Sequence, residues 1–263
     1  MRVITLNLNG LRSAASKGYF QWMQAQEADI ICVQEIKAQA ADMTSEMLGP
    51  SGYYGYFHFA QKKGYSGVGI YCRNAPNKII EGLGVPEFDN EGRYLELCFG
   101  KLSVVSLYLP SGSSGEERQA AKFKFMNAFM PHLLKLRASG REFILCGDWN
   151  IAHTEKDLKN WRGNKNNSGF LSEERAWLTE LLNEVGFVDV FRKLHPELEA
   201  YTWWSNRGQA RAKNVGWRID YHIATPGVAQ TAQSASIYTE QRFSDHAPVI
   251  IDYDYAVQPK VST

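Results

Sequence analysis

The sequence predicts one domain that mixes α-helices and β-strands and carries its chemistry at strand ends, on three observations. Short apolar runs of strand length recur along the chain, and several end in a carboxylate or a carboxamide. Stretches with helical spacing of apolar residues lie between them. Neither an internal repeat nor a linker divides the 263 residues, a length at which one core buries roughly 75% of the unfolded surface. The domain is expected over 1–255, with 256–263 as a frayed tail.

Val3 to Asn9 alternates Val3, Thr5, Asn7, Asn9 with Ile4, Leu6, Leu8, which is strand periodicity, and Gly10 then turns the chain. Ala14 to Ala28 carries Phe20, Trp22 and Met23 at helical spacing. Asp29 to Glu35 has an apolar centre and delivers Gln34 and Glu35 at its tip, either a solvated strand end or a site for chemistry. A helix is expected over Ala38–Met47, and strands over 54–59, 67–72, 94–99 and 102–109. The link Lys62 to Gly67 reads as a hairpin turn or as a basic, glycine-rich contact for phosphate. Tyr108 ends its strand before the polar loop 110–115, so its phenol belongs either to the core or to a ligand.

Glu116 to Arg137 is a long helix with a core stripe of Phe125, Met126, Phe129, Met130, Leu133 and Leu134, in which Pro131 should introduce a kink or a break. The apolar run Phe143 to Cys146 then reaches Gly147, where the backbone turns or is approached closely, followed by Asp148 and Asn150. Two apart in extended geometry, these project to the same side. One takes a proton and the other donates to an oxygen; equally, both residue types punctuate strand ends. Asp157 to Phe170 is polar and basic, a surface loop or a functional one. Helix follows over 172–185.

Tyr201 to Arg218 gathers Trp203, Trp204 and Trp217 with Arg207, Arg211, Lys213 and Arg218 and no acidic residue. It reads either as a nucleic-acid surface of cations and stacking rings or as a buried tryptophan cluster under a loop. Ile219 to Ile223 is a strand with Asp220, Arg218 and His222 on one side, and Ser244 to Pro248 precedes a last strand over 249–253.

Lys+Arg 29 against Asp+Glu 28 gives a net charge of +1, so a nucleic-acid partner must be met by a local patch. The cysteines, Cys32, Cys72, Cys98 and Cys146, sit in apolar runs without metal-site spacing, which points to reduced, buried thiols. No signal segment precedes the first strand and no apolar run nears the ~18 residues of a membrane span. A soluble, cytoplasmic monomer is expected.

Seven motifs in order, LNLNGLR, QEIK, YSGVGIY, YLPSG, GDWNIAH, NVGWRIDY and SDHAP, resemble the exonuclease III family of abasic-site endonucleases, within the endonuclease/exonuclease/phosphatase superfamily. The loop KNWRGNKNNSGF is similar to the DNA-contacting insert of the branch that includes the human enzyme. The resemblance implies an α+β four-layer sandwich, two packed mixed sheets flanked by helices. It implies Mg²⁺, replaceable by Mn²⁺, at Glu35 with Asn7 and Asp245 beside it, and leaves room for a second metal near Asp148 and Asn150. Where the human-type branch has an aspartate this chain has Asn9, which implies weaker metal binding without loss of activity.

By the same resemblance Asp148 orients and deprotonates the attacking water, with Asn150 holding it. His246, paired with Asp220, donates to the phosphate, and Tyr108 lies against the phosphate or the leaving oxygen. Trp203, Trp217 and Ile219 match the pocket for a base-less deoxyribose. Arg12, Tyr65, Asn160, Asn164, Asn167, Arg207 and Lys213 match contacts to double-stranded DNA. The implied reaction is hydrolysis 5′ to an abasic site, with 3′-end cleaning and 3′→5′ exonuclease activity beside it. A nonspecific nuclease or another phosphodiesterase of the superfamily is the alternative, although those phosphodiesterases use a second histidine where this chain has Tyr108. A non-catalytic DNA-binding module is the other.

Overall fold

A computed structural model describes residues 1–257, so the tail expected over 256–263 lies, from 258 on, outside the described residues. One sheet comprises β1 (Arg2–Asn7), β2 (Ile30–Gln34), β3 (Tyr54–His58), β4 (Val68–Cys72), β13 (Ala232–Ile237) and β14 (Val249–Tyr253), in the order β13-β14-β1-β2-β4-β3. The other comprises β5 (Lys78–Glu81), β6 (Tyr94–Phe99), β7 (Leu102–Tyr108), β8 (Glu142–Asp148), β9 (Val188–Asp189) and β12 (Asp220–Ala224), in the order β5-β6-β7-β8-β12-β9. In each sheet one central pair is parallel, β1 with β2 and β7 with β8, and the rest are antiparallel. A short ribbon, β10 (Trp203–Trp204) with β11 (Gly216–Trp217), stands apart.

Alternation decides which side each residue serves. Val3, Cys32, Val68, Ile70, Val104, Ile144 and Cys146 pack in the layer between the sheets. Ile4, Leu6 and Ile31 face the helices α1 (Leu11–Ser16) and α2 (Tyr19–Ala25). Val105, Leu107, Leu145 and Ile223 face α5 (Glu116–Ala138) and α7 (Ser172–Asn183). Three apolar layers therefore separate four layers of structure, as the resemblance implies. Short helices α3 (Ser45–Leu48), α4 (Pro86–Asp89), α6 (Trp161–Asn164), α8 (Val190–Leu194) and α9 (Pro226–Gln230) fill the connections. Among the described residues no helix is long and apolar enough to cross a membrane.

Asn7, Tyr108, Asp148 and Asp220 each continue the face of their strand that looks toward the opposite sheet. Buried Gln34 spans the two sheets below them, donating to Thr5 (3.1 Å) and Ser106 (3.0 Å). The polar strand ends thus cap the inter-sheet layer at one edge.

Several local expectations are corrected. The helix expected over Ala38–Met47 is a 3₁₀ turn at 40–42 and the single turn α3, because Met43 is extended and Thr44 caps the second piece, accepting from the Met47 amide. The 14–28 stretch splits at Gly18, whose φ of 85° ends the run. Pro131 does not divide α5, which runs unbroken with both halves packed through Phe125, Phe129 and Leu133. The first strand stops at Asn7, since Asn9 is left-handed at φ 45°. The four cysteines are buried and free.

Candidate active site

At the capped edge the segments after β1, β2, β7, β8, β11 and β13, with Trp203 of β10, enclose a cleft of about 810 Å³. Asn7 is buried behind two of its lining residues: its Nδ2 donates to Glu35 and to Asp148, each at 2.9 Å, while its Oδ1 accepts from the Asn9 amide. The Gly147 backbone makes the approach of β8 feasible, because a Cβ there would lie 1.9 Å from the Leu107 carbonyl oxygen. Asn150 does not follow Asp148 in extended geometry. It turns left-handed (φ 52°), donates its amide to Asp148 Oδ1 at 2.9 Å, and gives its Nδ2 to the Leu109 carbonyl. Its amide oxygen is therefore the end left for the cleft.

His246 Nδ1 meets Asp220 Oδ2 at 2.8 Å, and its Nε2 stands 3.8 Å from Asp148 Oδ2. Burial alone would lower the imidazole, but the Asp220 charge and hydrogen bond, with Asp148 and Asp245, outweigh it and raise His246 to about 10. Asp148 is pushed up to about 7, first by burial and next by Asp220, against the pull of His246. Burial, reinforced by the charge of Glu35, keeps the Tyr108 phenol protonated far above its ordinary range. Asp245 stays below the usual carboxylate range although burial opposes this, because His246, the Trp203 indole (3.0 Å) and Asn9 (2.9 Å) stabilise its charge.

Glu35, Asp148 and His246 present one ligand atom each within 4.8 Å of one another. The imidazolium is a donor, so the open ligands are carboxylate oxygens, a set that suits a hard divalent cation. Asn7, with its nitrogen toward the carboxylates, sits below them, and Asp245 lines the same cleft.

The aromatic wall follows from the β10–β11 ribbon. Trp203 and Trp217 pack edge to face at 6.3 Å and line the cleft with Ile219, whereas Trp204 is buried and donates to Asn214. Arg218 is no phosphate contact: it is buried, bonding Asp157 (2.7 Å) and Asp189 (2.6 Å). Asp220 and His222 do share a side, but His222 turns into the core to meet the Tyr253 hydroxyl at 3.1 Å. Of the expected DNA contacts, Asn167 lines the cleft. Tyr65, Arg12, Arg207 and Lys213 do not line it: Tyr65 receives a bond from Arg93 (2.8 Å), and the three cations are exposed on α1 and on the β10–β11 connection. Asn160 lines a separate depression beside Trp161, and Asn164 bonds the Asn160 carbonyl.

Sequence reasoning missed Lys37, which pairs with Glu35 at 2.9 Å and donates to Asn9, although the QEIK motif contains it. It also missed Arg93, stacked 4.8 Å from the Tyr108 ring centroid, and Lys122, whose place in the apolar stripe of α5 was the available signal.

The model of the endonuclease/exonuclease/phosphatase family matches residues 4–246. The chain belongs to that family. Among members of the family, the exodeoxyribonuclease of Bacillus subtilis (strain 168) is 41% identical over 251 residues, covering 95% of this chain and 98% of its own. The DNA repair nuclease APEX1 of Danio rerio is 36% identical, covering 95% and 81%. Among solved structures, an AP endonuclease from Archaeoglobus fulgidus superposes with a TM-score of 0.88 at 27% identity over 97% of this chain and 100% of that one. The 3′ phosphatase NExo from Neisseria, bound to a product DNA hairpin, gives 0.88 at 26% identity with the same coverage.

Proposed function

We propose that this family member is a DNA-repair nuclease that hydrolyses the phosphodiester 5′ to an abasic site in duplex DNA. It leaves a 3′-hydroxyl and a 5′-deoxyribose phosphate, and cleans 3′ ends and degrades 3′→5′ as lesser activities. The observation that carries this is the direct abutment of the charged Asp148–His246–Glu35 cluster on a recess walled by Trp203, Trp217 and Ile219. A sugar swung out of the duplex fits such a wall, and the attached base of an ordinary nucleotide is excluded.

Asp148 takes the proton of the attacking water, and its raised pKa suits that task near neutrality. The amide oxygen of Asn150 holds the water in line. His246, kept cationic and oriented by Asp220, donates to a phosphoryl oxygen and stabilises the charge that develops there. The neutral Tyr108 phenol donates to the phosphate or to the departing oxygen. Glu35, with Asn7 and Asp245 beside it, would hold Mg²⁺, or Mn²⁺ in its place, which supplies positive charge to the scissile phosphate. Asn9 leaves this site one charge poorer than an aspartate would, so weaker metal binding is expected. The enzyme is taken to work as a cytoplasmic monomer on DNA.

The test is incision of a duplex containing a tetrahydrofuran abasic analogue, with Mg²⁺ or with EDTA. A metal-dependent cut on the 5′ side is expected; equal cutting at undamaged positions would instead mean a nonspecific nuclease, and no cut would end the proposal.

A further inference from the structure

Beneath the cleft lies an ion pair that no chemical step uses. Lys122 of α5 and Glu174 of α7 meet at 2.6 Å with both side chains wholly buried. Each reaches a different wall. Lys122 Nζ donates to the backbone carbonyl of Asn150 at 2.7 Å, the left-handed residue whose side-chain amide oxygen is left for the cleft. Glu174 Oε2 accepts from the Gly169 amide at 2.6 Å and the Leu171 amide at 3.1 Å, in the insert that closes the far side. Gly169 in turn lies against the Trp217 ring and the Asn150 carbonyl: a Cβ there would stand 3.1 Å and 3.2 Å from them. Gln119, one turn before Lys122, donates to Glu174 Oε1 at 3.0 Å and packs on Gly112, in the loop after Tyr108. The catalytic tip of β8, the Tyr108 loop and the pocket-wall insert therefore share one buried anchor.

We propose that Lys122 and Glu174 are positioning residues that set the spacing between Asn150 and the Trp217 wall. Two charges at full burial are a poor way to gain stability, since apolar replacements of similar volume often serve as well or better. What the pair supplies is direction: three backbone amides or carbonyls are fixed at defined distances from two side-chain heads. An apolar pair fills the space without those bonds, and a misplacement of ~1 Å at a reacting centre costs on the order of 10²-fold in rate.

The inference rests on the nuclease reading, and the experiment separates the two. Wild-type incision of the abasic duplex tests that reading by itself. The double variant Lys122→Met/Glu174→Leu is then compared with it for melting temperature, kcat and KM. The double variant orphans the Gly169 and Leu171 amides and the Asn150 carbonyl, so its melting temperature falls; in the variant still folded at the assay temperature, positioning predicts a kcat lower by roughly 10²-fold and a KM changed by less than about threefold. Wild-type kcat in the folded double variant overturns it. Should the double variant fail to fold, Glu174→Gln decides, because the amide keeps the shape and an acceptor but weakens the hold on Lys122. A kcat at least about tenfold lower with melting retained supports positioning, and an unchanged kcat overturns it.

Discussion

Asp148 keeps its carboxylate between Asn7 and the Asn150 amide while facing the buried charge of Asp220 through His246. Replacing it with asparagine preserves size and one acceptor oxygen but removes the proton acceptor. Asp148→Asn should lower single-turnover incision by about 10³-fold while abasic DNA is still bound in a gel shift; unchanged turnover would remove Asp148 from the proposed role. His222 tests a different consequence of burial, which lowers its pKa from 6.5 to about 3. Above pH 6.5 both folded and unfolded chains carry it neutral and it adds no pH dependence. Below that, the unfolded chain takes up a proton that the folded chain refuses, so stability is lost as pH falls toward 3, by about 1.4 kcal/mol per pH unit. Urea midpoints between pH 7 and pH 4 should therefore fall less steeply in His222→Asn, by about one proton's worth of slope.

Among the elements, the β10–β11 ribbon is tied to the start of β12 by the buried Thr202 side chain. Thr202 Oγ1 accepts from the Ile219 amide at 3.1 Å and the Asp220 amide at 3.2 Å, which joins the aromatic wall to the strand carrying the histidine's partner. Thr202→Val keeps the volume and orphans both amides, so it should cost about 3 kcal/mol in urea unfolding with an unchanged m-value. The strands that bear Asn7, Asp148 and Asp220 were legible in the sequence because β1 alternates and β8 runs apolar up to a polar tip, while β12 alternates onward from Asp220. The ribbon was not, since two-residue strands have no period to read, and its registry comes from Leu158 and His246, distant in the chain. Nor was the break at Met43 legible: Ala38 to Met47 has helical composition, and a local Thr44 cap overrides it. Asp148 and Asn150 were rightly paired from their spacing, yet they meet through a left-handed turn and not through alternation.

Over the whole molecule a net charge of +1 leaves attraction to DNA to local cations. Arg207 and Lys213 are exposed on the connection beside the aromatic wall. If each neutralises one phosphate, alanine at either should reduce the slope of log affinity against log salt by about 0.9, measured on the Asp148→Asn background; a parallel line would place that side chain off the DNA. The family motifs hold most of the residues that line the cleft; of its buried supports, Lys122 was signalled by its place in the α5 stripe, whereas Glu174 and Arg93 come from tertiary packing that no local pattern announces. One consequence concerns synthesis. The strand Val249–Tyr253 is wedged between β13 and β1, and His246 stands immediately ahead of it. In chain order Glu35, Asp148 and Asp220 all precede His246, and β1 lacks its β14 neighbour until this last strand is present. On the proposed mechanism, a chain that stops before His246 lacks the imidazole assigned to the phosphate and the strand that pairs with β1, so it is expected to be inert.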